Sequence, residues 1–211
     1  MNMNDKHNPS RKFSLTEILT AEYPLSIDCL NAIEKLVSPW ERQAGDNISV
    51  KGKINDKWIF ISTGLCRVYT TKKDKEDTIF FGGAGDIFTS FHSIFLQKKS
   101  VLGLQALSDC SGWSLSHYKY CLLQEKFPEL LKFEINLLRG QLFALEHYYY
   151  SRALTDSSQR LEQFYEKRDA LLEVFQPQTL IKSKPLRILA QYIDISPQML
   201  SLLRNRQRGK R

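Results

Sequence analysis

The sequence predicts an α+β protein in three parts: an antiparallel β-roll, a long helix, and a C-terminal pair of short helices. Three observations carry this. Between Glu41 and His117, short segments rich in Ile, Phe, Val, Thr and Tyr follow one another with turn residues between them and no helical spacing. From Leu131 to Tyr149 apolar residues recur at alternating steps of four and three. Near the end, two short apolar-striped segments each begin with a Ser and a Pro at helix-start spacing.

A chain of 211 residues can bury one large core or two small ones, and 42% apolar with 25% charged residues is the balance of a globular chain rather than a disordered one. No apolar run approaches the roughly 20 residues that span a bilayer. The start, MNMNDKHNPSRKF, lacks the apolar stretch of a secretory signal, so a cytoplasmic location is expected. Cys29, Cys66, Cys110 and Cys121 are widely separated with no close ligand pair, which argues against zinc or cluster sites and for free thiols in the core.

The order of elements follows from local signals. Residues 1 to about 13 are polar and expected to be disordered. Ser26 caps a helix over IDCLNAIEKLV, which Pro39 stops. Seven strands are expected in NISV, KWIFIST, LCRVYTT, DTIFFGG, DIFTSF, VLGLQAL and GWSLSH, and seven strands without helices between them imply an antiparallel roll or sandwich. Ala44-Gly45-Asp46 recurs as Ala84-Gly85-Asp86, each time before an apolar strand, which would suit a roll of two similar halves.

Helical spacing resumes near Tyr118 and runs past Pro128. Leu131, Ile135, Leu138, Leu142, Leu145 and Tyr149 form a narrow a/d seam that suits a partner helix, and a homodimer is expected through Ile135, Leu138, Leu142, Leu145 and Tyr149. The alternative is a helix packed on its own β domain. A further helix, opened by Ser157-Ser158, runs through QRLEQFYEKRDALLEVF, and QPQTLIKSKP follows as a linker. The domain boundaries expected are 14–128 for the roll, 129–153 for the dimerisation helix and 154–211 for the C-terminal domain.

The net charge of +7 lies in one place. Lys182, Lys184, Arg187, Arg204, Arg206, Arg208, Lys210 and Arg211 face a single acid, Asp194, while the preceding 181 residues balance at 22 basic and 22 acidic side chains. Localised positive charge attracts a polyanion, and double-stranded DNA is the partner expected; a basic tail kept for solubility is the alternative. The same segment holds the helix pair. Ser183 and Pro185 start the first, striped by Leu186, Leu189, Ala190 and Ile193. After a turn at Asp194, Ser196-Pro197 starts the second, with Ile195 placed against Leu200. With Leu200 and Leu203 inward, the outer face is Gln198, Ser201, Leu202 and Asn205, flanked by Pro197, Arg204 and Arg208. Gln, Ser and Asn can hydrogen-bond base edges, while Arg204, Arg206 and Arg208 suit phosphates. Such a pair is a helix-turn-helix; a plain helical hairpin closing a core is the alternative.

SSQRLEQFYEKRDALLEVF followed by ILAQYIDISPQMLSLLRNR, together with the Gly85-Asp86-Ile87-Phe88 turn, resembles the Crp/Fnr family, that of the cyclic-AMP receptor protein and the fumarate-nitrate reductase regulator, in its Bacteroidetes-type form. The resemblance covers roughly residues 25 to 208. It implies a cyclic-nucleotide-binding-like jelly roll that senses an effector, a dimer helix, and a DNA-binding domain with Ser196, Gln198, Ser201, Leu202, Arg204, Asn205, Arg206 and Arg208 at the interface. Small-molecule effector contacts fall to Phe81, Phe88, Ser90, Lys99 and Ser100, and RNA polymerase becomes a candidate partner.

Several positions depart from the family pattern. Ser90 stands where cyclic-nucleotide members carry Glu, and Ser100-Val101 where they carry Arg-Ser, so tight cyclic-AMP binding is not expected. No N-terminal Cys cluster precedes Cys29, and His92 alone is too little for a roll metal site; no cofactor or metal is expected. Leu202 replaces a common base-reading Arg, and the recognition helix is followed by only a few residues, with no wing. Asp194 replaces the turn glycine, a position Asp can fill. The expected function is transcription regulation by DNA binding, or alternatively a ligand-sensing or interaction module without sequence-specific binding. An enzyme is not expected: no nucleophile elbow, phosphate-cradling loop or HExxH pattern occurs.

Overall fold

The computed structural model describes residues 12–72, 75–154, 156–167 and 185–208. Part of the expected N-terminal disorder, Thr155, the second half of the helix through 175, the linker through 184 with Ser183, Lys182 and Lys184, and Lys210 and Arg211 lie outside these residues.

The described chain begins with two helices, α1 (Leu15–Glu22) and α2 (Ile27–Glu34), each with a serine cap. The first was not expected from the sequence. Ser14 Oγ accepts from the Glu17 amide while the Glu17 carboxylate accepts from the Ser14 amide, a reciprocal capping box, and Phe13, Leu15, Ile18 and Leu19 are buried. Residue 13 is thus part of the fold: its backbone N–H donates to Ser62 O and its carbonyl accepts from Ser62 Oγ.

Among the described residues eight strands form the roll, one more than expected: β1 (Ser38–Arg42), β2 (Asn47–Ser49), β3 (Lys57–Thr63), β4 (Leu65–Lys72), β5 (Lys75–Gly83), β6 (Ile87–Phe88), β7 (Gly103–Ala106) and β8 (Cys110–Ser116). They make two four-stranded antiparallel sheets, ordered β1-β8-β3-β6 and β2-β7-β4-β5. The extra strand is β1, which contains Pro39. As the edge strand of its sheet it can lack one ladder donor, so proline is tolerated there. The expected strand DIFTSF is only Ile87–Phe88; Ser90 then opens a short helix, α3 (Phe91–Ile94), in which the Ser93 and Ile94 amides donate to Ser90 O.

The two Ala-Gly-Asp turns have the same geometry. Gly45 and Gly85 sit at φ 96° and 94°, in the left-handed region open to glycine. In each turn the Asp amide donates to the carbonyl three residues back, Gln43 or Gly83, and its carboxylate accepts from that residue's amide at 3.0 and 2.8 Å. One turn leads into β2 and the other into β6, on opposite sheets.

Between the sheets lie Ile59, Ile61, Cys66, Val68 and Leu104, with Trp40, Ile48, Phe80, Phe88 and Leu102 around them. A second cluster covers the outer side of β3 and β8: Trp58, Phe60 and Leu115 pack against α1, α2, α4 (His117–Lys126) and the start of α5 (Glu129–Leu154). The helical segment after Tyr118 does not run through Pro128 as expected. It ends at Phe127 and restarts at Glu129, because the residue before proline disfavours helical backbone.

Beyond α5 come α6 (Ser157–Lys167), α7 (Pro185–Ile193) and α8 (Pro197–Arg208). The cap of α6 is Asp156 rather than the expected Ser157-Ser158. Its carboxylate accepts from the Ser158 and Gln159 amides, and Gln159 Oε1 accepts from the Asp156 amide.

Candidate nucleic-acid interface and effector region

The helix pair is built from short-range signals. Helix α7 is followed by Asp194 at φ 63°, and the Ile195 amide reaches back to Ala190 O at 3.0 Å, closing the helix as a glycine would. Ser196 then caps α8, accepting from the Met199 amide at 3.1 Å. Arg160 of α6 donates from Nε to Ile193 O at 2.7 Å, so a carbonyl at the end of α7 is satisfied.

Leu200 and Leu203 of α8 are buried with Leu161, Ile188, Leu189, Ala190 and Ile193. Burying each such side chain contributes about 1.5–3 kcal/mol, enough to fix which way the helix faces. Gln198, Ser201, Leu202 and Asn205 are therefore left on the solvent side, Leu202 with 57% of its surface exposed, and Ser196 is exposed at the helix start. Arg204, Arg206 and Arg208 fall on the same helix.

The long helix α5 carries two apolar faces. Leu130, Phe133 and Leu137 are buried against the roll. Of the expected seam, Ile135, Leu142, Leu145 and Tyr149 are exposed, Leu142 at 62% and Tyr149 at 65%, and Leu138 is half-buried. One face of the helix thus covers its own domain, and the residues of the expected seam are left largely open.

The five residues expected to contact an effector do not share one environment. Phe88 faces the inter-sheet interior. Phe81 does not: it lies in the cluster with Leu65, Leu107 and α7, its ring 5.0 Å from that of Tyr192, edge on. The interior position belongs to Phe80, which pairs with Val68 in register and stands 5.4 Å from the Tyr148 ring of α5. A register shift between Val68 and Tyr69 accompanies this arrangement. Ser90 is buried with its hydroxyl 3.3 Å from Ser93 Oγ, the Ser100 hydroxyl donates to Leu102 O at 2.7 Å, and Lys99 is exposed.

One polar group inside the roll was missed. Ser49 pairs with Leu104 across β2 and β7, and directly opposed residues share a face, so it shares that of an inter-sheet residue. Its hydroxyl is buried without a hydrogen-bond partner. No sequence signal separates it from the surrounding β-strand serines. An open groove of about 770 Å³ lies elsewhere, bounded by Glu41, Arg42, Asp46, Thr63 and Asp109, and includes none of the expected effector residues. Among the described residues no group of three or more His, Cys, Asp or Glu side chains is placed to hold a metal.

No family model and no curated protein matches the sequence. Solved structures do. FixK2 from Bradyrhizobium japonicum superposes with a TM-score of 0.66 at 15% identity, covering 83% of this chain and 86% of that one. A mutant of CooA from Carboxydothermus hydrogenoformans gives 0.64 at 19%, covering 89% and 87%. The c-di-GMP responsive global regulator CLP of Xanthomonas campestris gives 0.67 at 12%, covering 88% and 93%. These neighbours are Crp/Fnr family regulators, and the matches cover 83%, 89% and 88% of this chain. The chain therefore has the fold of the Crp/Fnr regulators, a cyclic-nucleotide-binding-like β-roll joined by a long helix to a helix-turn-helix.

Proposed function

We propose that this protein is a homodimeric DNA-binding transcription regulator whose roll senses a small molecule other than cyclic AMP. The observation that carries it is the outward face of α8: Gln198, Ser201 and Asn205, exposed in a row, on a helix within the one segment of the chain that holds the net charge. Burial of Leu200 and Leu203 fixes that orientation. In this reading Gln198, Ser201 and Asn205 meet base edges, Leu202 offers an apolar contact such as a thymine methyl accepts, and Ser196, Arg204, Arg206 and Arg208 serve the backbone. Residues 129–153 are the dimer element, through the open face of α5, and residues 14–128 and 154–211 are the sensing and DNA-binding domains. Two recognition helices related by a dimer axis read half-sites about one DNA turn apart.

For the effector, the supporting features are the unpartnered Ser49 hydroxyl and the aromatic groups Phe80, Phe88 and Tyr148. The departures at Ser90 and Ser100 support exclusion of cyclic AMP. Neither side chain supplies the charge that would hold a ribose hydroxyl or a phosphate, and the Ser100 hydroxyl is engaged with Leu102. Exposed Leu202 in the reading face favours a second reading, a sensing module without sequence preference. A gel shift across a salt series separates the two. The regulator binds a duplex from its own upstream region about 10³-fold or more tighter than random duplex. Equal, salt-sensitive binding to both selects the module, and no binding at low salt with either duplex defeats the DNA-binding reading.

A further inference from the structure

The helix pair does not hang free of the roll, and one hydrogen-bonded chain crosses between them. It begins at the first Gly-Asp turn, where Gln105 Nε2 donates to Gly45 O at 3.0 Å. Gln105 Oε1 accepts from Arg67 Nε at 2.8 Å, Arg67 Nη1 donates to Thr78 Oγ1 at 3.1 Å, and Thr78 Oγ1 donates to Gln191 Oε1 of α7 at 3.2 Å. Arg67 also pairs through Nη2 with the Glu76 carboxylate, and its guanidinium carbon stands 5.1 Å from the centre of the Tyr69 ring.

The chemistry of this chain is directional. Arg67 is only 3% exposed, and a buried guanidinium must spend its donors on partners, so its fork is locked by Gln105, Thr78 and Glu76 together. Because Arg67 can only donate, it occupies an acceptor site of the fully buried Thr78 hydroxyl and leaves the hydroxyl proton to point at Gln191. Around this polar line Phe81 meets Tyr192 edge on, and Leu65 and Leu107 of the roll complete the cluster under α7 and α8. The contact thus fixes where α7 lies along β5 while the outer face of α8 stays exposed.

We propose that Thr78 and Gln191, with Arg67 behind them, are positioning residues that set the orientation of the α7–α8 hairpin on the roll and thereby its affinity for DNA; this rests on the DNA-binding reading above. A hairpin held in one orientation with its reading face free loses less conformational freedom on docking than one that wanders. The bond also joins the hairpin to the roll sheet directly, without passing through the long helix.

The test uses the full chain, three single variants and the double variant Gln191→Leu/Thr78→Val. Gln191→Leu removes the acceptor and leaves Arg67 and Thr78 paired; Thr78→Val removes the hydroxyl from a strand position that favours a β-branched side chain; Thr78→Ser keeps the hydroxyl. Gln191→Leu and Thr78→Val are each expected to weaken binding to the upstream duplex by about 3- to 10-fold, the size of one lost hydrogen bond. The double variant loses no more than the worse single one, and Thr78→Ser binds as the wild type does. Unchanged or tighter binding in Gln191→Leu, or additive losses in the double variant, overturns the proposal. Amide hydrogen exchange in the absence of DNA keeps this separate from failure of the DNA-binding reading. If the wild type binds no duplex, faster exchange across residues 185–193 in Gln191→Leu and Thr78→Val but not in Thr78→Ser sustains the fastening of the hairpin, and equal exchange in all four proteins overturns that as well.

Discussion

Gly112 shows how a single position can be decided by backbone approach. It lies in β8 between β1 and β3, opposite Trp40 and Ile61, and a Cβ there would stand 1.9 Å from the Phe60 carbonyl oxygen. A backbone atom cannot swing aside as a side-chain tip can, so Gly112→Ala must move β8 against β3. The cost expected is about 3 kcal/mol, the upper end for overpacking, and for a chain of this size that lowers Tm by roughly 6–12 °C. Circular dichroism melting checks this, and an unchanged Tm refutes it. At the same scale the sequence was readable where the signal was local. Asp194 in the left-handed turn and Ser196 as a cap follow from residue chemistry alone. Ser14-Leu15-Thr16-Glu17 is an equally local signal, a capping box at the start of α1. Phe81 was not readable. With two adjacent phenylalanines in a strand of period two, the face each takes depends on register, and the shift between Val68 and Tyr69 lies in the pairing of β4 with β5.

Among the elements, α5 is the one whose two faces have different fates. Leu130, Phe133 and Leu137 are committed to the roll, so a second copy would meet the helix on its open side, which includes Ile135, Leu142, Leu145 and Tyr149. Leu142→Asp places a charge on that open face, where it touches none of the buried cluster. It is expected to give a monomer in sedimentation equilibrium with an unchanged far-ultraviolet spectrum, and to weaken duplex binding by at least about tenfold through loss of the second half-site contact. A Leu142→Asp protein that stays dimeric removes α5 from the interface. The heptad steps revealed a seam but not the second face, since Leu130, Phe133 and Leu137 also sit at helical spacing and only the roll beneath them distinguishes the two. The break at Pro128 and the shortening of DIFTSF to two residues are matters of competition between elements. At Ser90 a helical turn wins over strand extension once its carbonyl accepts from Ser93 and Ile94.

For the whole molecule, stability against pH should reflect its buried acids. Burial pushes the Cys29 thiol from 9.0 up to about 12, reinforced by the nearby Glu129 carboxylate, and burial pushes Cys110 up to about 11. Burial likewise raises the Tyr120 hydroxyl, with Glu134 adding to it. For groups that are neutral when protonated, a raised folded value means the native state holds its protons longer than the unfolded chain. Their contribution is complete below pH 9 and is lost as pH rises toward 11 and 12. Urea midpoints are therefore expected to fall between pH 9 and 11, and less steeply in Cys110→Ala; an equal slope in that variant removes the thiol as the cause. At the acid end the Ser26 backbone and hydroxyl hold the Glu129 carboxyl below its usual range, so its contribution is present above pH 4.5 and lost as pH falls.

What the sequence determined by itself is whatever neighbours along the chain can settle: the β-rich roll, the long helix, the capped helix pair and the charge confined to its end. These depend on period, caps and turn residues, which act over a few positions. Tertiary structure alone decided that Phe80 and not Phe81 faces the interior, that Ser49 is buried unpartnered, and that Thr78 meets Gln191 across 113 positions of chain. Each of those depends on which surfaces meet when sheets close and domains dock, and the free energy of a buried hydroxyl or guanidinium is set by partners that are distant in sequence.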